Sequence, residues 1–451
     1  MRYILFLIFY FISFSHIKAQ RNFTLGDLKT PYSYRVNPAI SPTCKFYLSM
    51  PLLGFQSIQF TNSAFSLNNL FVSNADDSLI LNTSNDFFDR IGKKSYISFE
   101  STNQILAFGF KVNDNYFSFD INNRICSEFS FSSDFIRYAI TGNGGDLSGK
   151  RASFDRLGLF FNDYIEYGLG YSRQLSESIS FGGRIKLLSG IANLSAYDTK
   201  LGITTNPGNF DLNFDASASI KSATTLNAID SIFNSKLNFL DILKKSYGFS
   251  NLGLGIDFGG SYKLNERITV NASVIDFGFI NWKSEIKNYD LKPVSYQFSG
   301  FDLSNVLKDS SRFMDDFLDT LNLITKTNQS KSSYSTILPT RVYLSGSYKW
   351  NDYFSSSVLF YNEFARKSYR PGLVFSSSFS INHWFTTSLN YGIYGGSFSN
   401  IGFGLKIRGF FLFTDNLCAF INPYSQKTAS INFGFSLVVG NANDQTRSPK
   451  P

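Results

Sequence analysis

Few side chains in this 451-residue chain are of the types that do chemistry. It has two histidines, His16 and His383. His16 falls in an apolar leader, which leaves the mature chain one imidazole, His383, in a turn beside Trp384. That excludes a multi-histidine metal site and histidine-based activation of a nucleophile. The three cysteines, Cys44, Cys126 and Cys418, form no Cys-x-x-Cys pair. In an exported chain an odd count leaves at least one thiol free. Three unpaired thiols is the first expectation, and Cys44 with Cys418 is the one pairing that closure of a barrel would favour. Gly142-Asn-Gly-Gly145 lacks the Lys-Ser/Thr that ends a phosphate loop. Asp76-Asp77 and Asp315-Asp316 read as solvated loop charges, without the ligand spacing of a calcium loop. No cofactor or metal is expected. What remains is a set of charges within alternating stretches: Glu166, Arg184, Lys186, Asp211 and Asp215. Two roles are open to them. They tune what passes through a lumen, or they form a salt-bridge network that fills it.

The elements that carry these charges read as β-strands. Ile165, Tyr167, Leu169 and Tyr171 alternate with Glu166, Gly168, Gly170 and Ser172, and the same period recurs over 178–187 and 211–218. Shorter runs at 105–112 and 116–121 alternate likewise. One junction appears four times, an aromatic strand end, a polar turn and a new alternating strand: Tyr171 to Phe181, Tyr262 to Val270, Tyr348 to Ser356, and Phe379 to Thr387. Asn, Ser, Asp and Glu suit tight turns. Aromatics beside such turns are where a membrane barrel has its girdle. Aromatic residues make up 17% of the chain and charged residues 17%, against about 25% in soluble domains. Charges in the polar phase of strands do not suit a sandwich core but do suit a lumen. The fold class expected is all-β: a transmembrane antiparallel β-barrel of about 14 strands, with 14 to 18 candidates and the least certain stretch at 281–301.

The organisation follows. Residues 1–19, with Arg2, an apolar run and Ile17-Lys18-Ala19 before Gln20, read as a secretory signal. Residues 20–43, with Pro31, Pro38 and Pro42, read as an irregular segment. The barrel is expected over 44–439 and a periplasmic tail over 440–451. Two inserts, 223–247 and 303–325, show helical spacing. If the four short turns are periplasmic, both inserts fall outside and the tail inside. The net charge of +8 is scattered, so nucleic acid is not an expected partner. Outer-membrane lipid and lipopolysaccharide are.

Asn37-Pro38-Ala39, before the first strand, resembles the motif of FadL-type outer-membrane transporters. Further stretches resemble a barrel family of unknown function from the Bacteroidota, near both FadL and the PorV/PorP accessory barrels of type IX secretion. They are Leu252-Gly-Leu-Gly-Ile-Asp-Phe-Gly-Gly-Ser-Tyr262, Ser273-Val-Ile-Asp-Phe-Gly-Phe-Ile-Asn-Trp282, Leu338-Pro-Thr-Arg-Val-Tyr343 and Thr414-Asp-Asn416. The resemblance implies that Asn37, Pro38 and Ala39 belong to a hatch over 20–43, folded into the barrel. It implies passive uptake of a hydrophobic small molecule, or else an accessory barrel that docks a secreted or surface protein. An enzyme is not expected.

Overall fold

The computed structural model describes residues 23–143, 145–196, 199–224, 249–298, 329–365, 368–381, 384–394 and 398–441. The leader, the tail beyond Asn441 and nearly all of both inserts therefore lie outside the described residues. In chain order the strands are β1 (Cys44–Ser49), β2 (Gln56–Asn62), β3 (Phe71–Ser73), β4 (Leu79–Leu81), β5 (Ser95–Val112), β6 (Asn115–Phe131), β7 (Arg151–Ser153) and β8 (Gly158–Gln174). There follow β9 (Ile179–Ala196), β10 (Lys200–Thr205), β11 (Leu212–Thr224), β12 (Leu252–Lys263), β13 (Ile268–Trp282), β14 (Ile286–Phe298), β15 (Gln329–Ser330) and β16 (Tyr334–Ile337). The last are β17 (Thr340–Lys349), β18 (Phe354–Ala365), β19 (Ser368–Ile381), β20 (Phe385–Tyr394), β21 (Phe398–Ile407), β22 (Phe410–Thr414), β23 (Thr428–Phe435) and β24 (Leu437–Asn441).

These strands close into an antiparallel barrel of 14 staves. β1 and β2 share one stave, β16 and β17 another, and β23 and β24 the last. The ring runs from β1/β2 through β5, β6, β8, β9, β12, β13, β16/β17, β18, β19, β20, β21 and β22 to β23/β24. It closes where Phe46 faces Val439 and Ile58 faces Ile431. Closure satisfies the backbone donors and acceptors that a lipid phase cannot.

Every connection at the end with Cys44 and Asn441 is short, whereas the long ones all lie at the other end, beside two short ones that join β18 to β19 and β20 to β21. At the former end, polar residues cap the reversal locally. Asn265 Oδ1 accepts from the backbone of Arg267 (2.9 Å) and Ile268 (2.8 Å), and Asn351 Oδ1 does the same for Tyr353 and Phe354. Asn113 takes a positive φ of 54° in the turn between β5 and β6. By the rule that periplasmic turns are short, this end is periplasmic. Outward positions carry an apolar belt that includes Phe117, Leu169, Ile185, Leu254 and Phe277, all exposed.

One expectation needs correction, and two open points are resolved. The alternating stretch at 211–218 belongs to β11, which is not a stave. Beyond the extracellular end of the wall, β11 pairs with the top of β9 and with β10 and β14, and β10 pairs with β7. Half-exposure on an extracellular ladder gives the same period as half-exposure in a membrane. The doubtful stretch 281–301 contributes β14 to this same extension. Cys44 and Cys418 cannot pair, because Cys44 starts the first stave at the periplasmic end and Cys418 sits in a short helix between β22 and β23 at the other. Cys44, Cys126 and Cys418 are all outside any disulfide.

Ile185 is 65% exposed at a lipid-facing position of β9. Ile185→Arg is expected to cost about 2–4 kcal/mol, as a charge does on the lipid side near mid-membrane. Ser261→Arg, on the lumen side, should stay close to wild type. Denaturant unfolding in lipid vesicles measures both.

Candidate functional site

The lumen holds two layers. The nearer to the periplasm is filled by residues 23–43, which enter the barrel rather than lie across its mouth. A short helix, Phe23–Asp27, and a 3-10 turn, Ser33–Arg35, are joined by irregular chain broken at Pro31 and Pro38. Leu25, Leu28, Tyr32, Tyr34 and Val36 are buried against an inward-facing apolar set from the wall: Phe55, Ile275, Tyr343, Leu359, Tyr361, Val374, Phe411 and Phe413. Polar bonds pin the segment at intervals. Thr24 Oγ1 donates to Asp415 Oδ1 (2.8 Å) and accepts from Asn390 Nδ2 (2.7 Å). Lys406 Nζ donates to Lys29 O (2.8 Å), and Ser273 Oγ to Val36 O (2.6 Å).

Asn37, Pro38 and Ala39 form the tight end of this plug. Asn37 Oδ1 accepts from Ala39 N (2.9 Å) in an Asx turn, and Asn37 Nδ2 donates to Gly260 O (3.1 Å). Two wall glycines let the motif approach. A β-carbon at Gly182 would stand 2.1 Å from Pro38 O, and one at Gly259 would stand 2.1 Å from Asn37 Oδ1. The motif is thus seated on bare backbone of β9 and β12.

Above the plug is a layer of charge. Arg35, Arg124, Arg184, Lys186, Arg341 and Arg370 are linked without a break to Glu100, Asp120, Glu128, Glu166, Asp257, Asp276 and Glu363. Arg35 is the plug's charge in this layer, 3.8 Å from Asp120 and donating to Asn122 Oδ1 at 2.6 Å. Its guanidinium lies 4.5 Å from the Phe55 ring centroid. Arg184 pairs with Asp120 and lies 3.4 Å from Asp257.

Asp276 is the hub. Arg124 Nη1 and Nη2 reach its two oxygens at 2.8 and 3.0 Å, Lys186 Nζ at 2.6 Å and Arg341 Nη1 at 2.8 Å. Its backbone has φ = 60°, a left-handed conformation uncommon outside glycine and best tolerated by Asn and Asp. That turn breaks the alternation of β13 and sends both Ile275 and Asp276 inward, Ile275 into the plug layer and Asp276 into the charged one. The Asp276 N–H donates to Asp257 Oδ1 (2.7 Å), and the extra residue in β13 shifts its register against β12 between Ile256 and Phe258. Inside the layer is a small cavity of about 30 Å³, lined by Tyr34, Arg124, Glu166, Lys186, Asp276 and Arg341 among others. That is room for a water or two. Below, between the plug and the staves from β12 to β19, a vestibule of about 1080 Å³ opens at the periplasmic turns.

Of the five charges singled out in the sequence, the structure brings Glu166, Arg184 and Lys186 together in this layer. Asp211 and Asp215 are elsewhere, on the extracellular ladder. Asp215 Oδ1 accepts from Arg151 Nε (2.9 Å), and Asp211 Oδ2 accepts from Gln297 Nε2 (2.8 Å). There the hydrogen bonds from Arg151 hold the Asp155 carboxyl below its usual range. Sequence reading missed Arg35, Glu100, Asp120, Arg124, Glu128, Asp257, Asp276, Arg341, Glu363 and Arg370. For all but Arg35, which lies in the plug, the common signal is a charge in the polar phase of a stave. For Asp276 alternation gives the wrong phase, because the bulge resets it.

A closed antiparallel barrel with an apolar outer belt and a charged, plugged lumen defines an integral outer-membrane protein. The chain belongs to the family of unknown function DUF5723, whose match spans residues 38–415. Curated proteins give no match. Among solved structures it is similar to the toluene transporter TodX of Pseudomonas putida, at 9% identity and TM-score 0.37 over 89% of this chain and 90% of that one. A FadL homologue from Pseudomonas aeruginosa has 8% identity and TM-score 0.32, over 93% and 96%. The translocator domain of the autotransporter NalP from Neisseria meningitidis has 7% identity and TM-score 0.31, over 87% and 88%.

Asp276→Ala leaves three buried cations without their common partner. The expected loss is about 3–5 kcal/mol, that of breaking a buried pair. A lowered midpoint for the heat-modifiable gel shift of the folded barrel would show it. An unchanged midpoint would remove Asp276 from the hub.

Proposed function

We propose that this protein is a gated outer-membrane channel, held closed by its own residues 23–43, for a hydrophobic small molecule. One observation carries the reading: the plug's apolar residues occupy a chamber whose wall is Phe55, Ile275, Tyr343, Leu359, Tyr361, Val374, Phe411 and Phe413. A barrel stabilised only by its wall has no need of a separable segment. Withdrawal of Leu25, Leu28, Tyr32 and Val36 leaves an aromatic-lined space able to take an apolar guest in their place. In this reading residues 1–19 direct export, Asn37, Pro38 and Ala39 seat the hatch, and Glu166, Arg184 and Lys186 keep the upper lumen shut to water-soluble solutes.

A second reading, an accessory barrel that docks a secreted or surface protein, is favoured by a different observation. At the extracellular end Leu79, Ile80 and Leu81 of β4 and the nearby Phe420, Ile421 and Tyr424 are exposed. Asn68 Nδ2 bonds Ser425 Oγ (2.8 Å), which joins the two loops into one patch.

One experiment separates them. A β-carbon at Gly404 would stand 2.4 Å from Thr24 Cγ2. Paired β-carbons there come within disulfide range. Thr24→Cys with Gly404→Cys, with the native thiols replaced by serine, should lock the plug when oxidised. Uptake of a fluorescent fatty acid into proteoliposomes is expected to stop on oxidation and return on reduction. Uptake indifferent to the lock, or absent in both states, overturns the channel and leaves the docking reading.

A further inference from the structure

The outer wall carries a furrow of about 690 Å³ on its lipid side, toward the periplasmic end. It runs across β17, β18, β19 and β20. The cause is three small residues in an otherwise bulky belt. Gly346 faces Val358, and Ser356 stands between Tyr348 and Ser377 in the ladder. A β-carbon at Gly346 would meet nothing within 4 Å. The neighbours on the same face are large: Tyr348, Val358, Phe375, Leu389 and Tyr391. Most of these are well exposed, so the furrow has apolar sides and an open front.

Its lower floor is polar. Ser356 Oγ and Ser377 Oγ lie 3.3 Å apart, and Trp350 Nε1 donates to Ser356 Oγ (3.1 Å). At the rim, Arg267 Nη1 donates to Tyr348 OH (3.4 Å), which sets an exposed guanidinium beside the furrow's lower end. The two hydroxyls and the indole N–H thus make a polar step on a face that is otherwise apolar. Read upward from the periplasm, the order is cation, hydroxyls and indole N–H, then a bare apolar trough. That is the order of a phospholipid: phosphate, ester region, acyl chain.

We propose that this furrow is a specific binding site for one glycerophospholipid of the periplasmic leaflet. Its phosphate pairs with Arg267, its ester region lies over Ser356 and Ser377, and an acyl chain fills the trough above Gly346. The occupant follows from continuity with the lipid-facing belt, because the furrow already opens onto that phase. Arginine suits the phosphate through its planar fork of donors. The site is independent of the plug, so its failure would leave the channel reading untouched, and the converse holds.

The test is native mass spectrometry of the full-length barrel in detergent, with 1-palmitoyl-2-oleoyl-phosphatidylethanolamine added back. Wild type is expected to retain one lipid. Gly346→Leu fills the trough and should weaken retention by about tenfold, the equivalent of about 1.4 kcal/mol. Arg267→Ala should weaken it several-fold, and dioleoylglycerol, which lacks the phosphate, should not be retained. Ser377→Leu blocks the same trough from a neighbouring stave, and the heat-modifiable gel shift confirms that each variant is folded. Equal retention by wild type and by the folded filling variants overturns the proposal. So does a dimer that those variants dissolve, which would assign the furrow to a second copy of the chain.

Discussion

The lumen turns on one carboxylate. Asp276 takes a backbone conformation that costs an L-residue about 1–3 kcal/mol and persists only where its surroundings over-determine it. Here they do. Three cations from β6, β9 and β17 converge on the side chain, and its N–H is held by the Asp257 carboxylate across the β12–β13 ladder. The same bulge that aims Asp276 upward leaves Ile275 aimed downward. A single backbone irregularity therefore serves both layers, as an ionic hub above and as part of the aromatic chamber below. A regular strand would have pointed one of the two at lipid.

Burying so many charges makes sense because they are joined. An isolated ion in such a place would cost several kcal/mol. In this layer the cations and carboxylates are linked in one network, and bidentate geometry from Arg124 spreads the compensation. Replacing such a network by an apolar core of equal volume is often neutral or stabilising, so stability alone does not account for it. The network staples staves from β5 round to β19 across the lumen, where no backbone ladder can reach. The extracellular loops, with Phe87, Phe88, Ile91 and Phe131 in their own apolar cluster, close over a wall already held from within.

Much of this was legible in the residues, and the part that was not has a physical cause. Alternation found the staves because lipid on one side and a polar lumen on the other impose a period of two. It placed Glu166, Arg184 and Lys186 inward for the same reason. It misplaced Asp211 and Asp215 because an extracellular ladder with one wet face has the identical period. It could not reach Asp276, where the period is broken, or Arg35, whose role depends on which wall residues the plug meets. The alternative pairing of Cys44 with Cys418 is ruled out by direction, since adjacency of the first and last staves does not bring their opposite ends together. Asn37-Pro38-Ala39 fared otherwise: its compact Asx turn is local, and only the glycines that receive it, Gly182 and Gly259, needed the fold to be seen.

The two layers differ in what holds them, and that bears on how the barrel opens. The lower layer is shared between plug and wall, and its contacts are apolar packing with scattered single hydrogen bonds. Such contacts are lost piece by piece as a segment peels away. The upper layer is almost wholly wall to wall. Among the described plug residues only Arg35 contributes a charge to it, through one longer ion pair and one hydrogen bond. Withdrawal of the plug would remove Arg35 and the Tyr34 hydroxyl from Asp120, while Arg184 still paired with that carboxylate. The Asp276 hub would lose nothing. Plug displacement thus opens the aromatic chamber to the periplasm and leaves the charged layer standing. An apolar molecule arriving from outside meets that layer first and gains nothing by dissolving in it. In the proposed channel, passage would therefore require a second event, a parting of ion pairs that the plug does not control. In the proposed channel the two layers would act in series, the lower built from residues 23–43 and the upper from the wall itself.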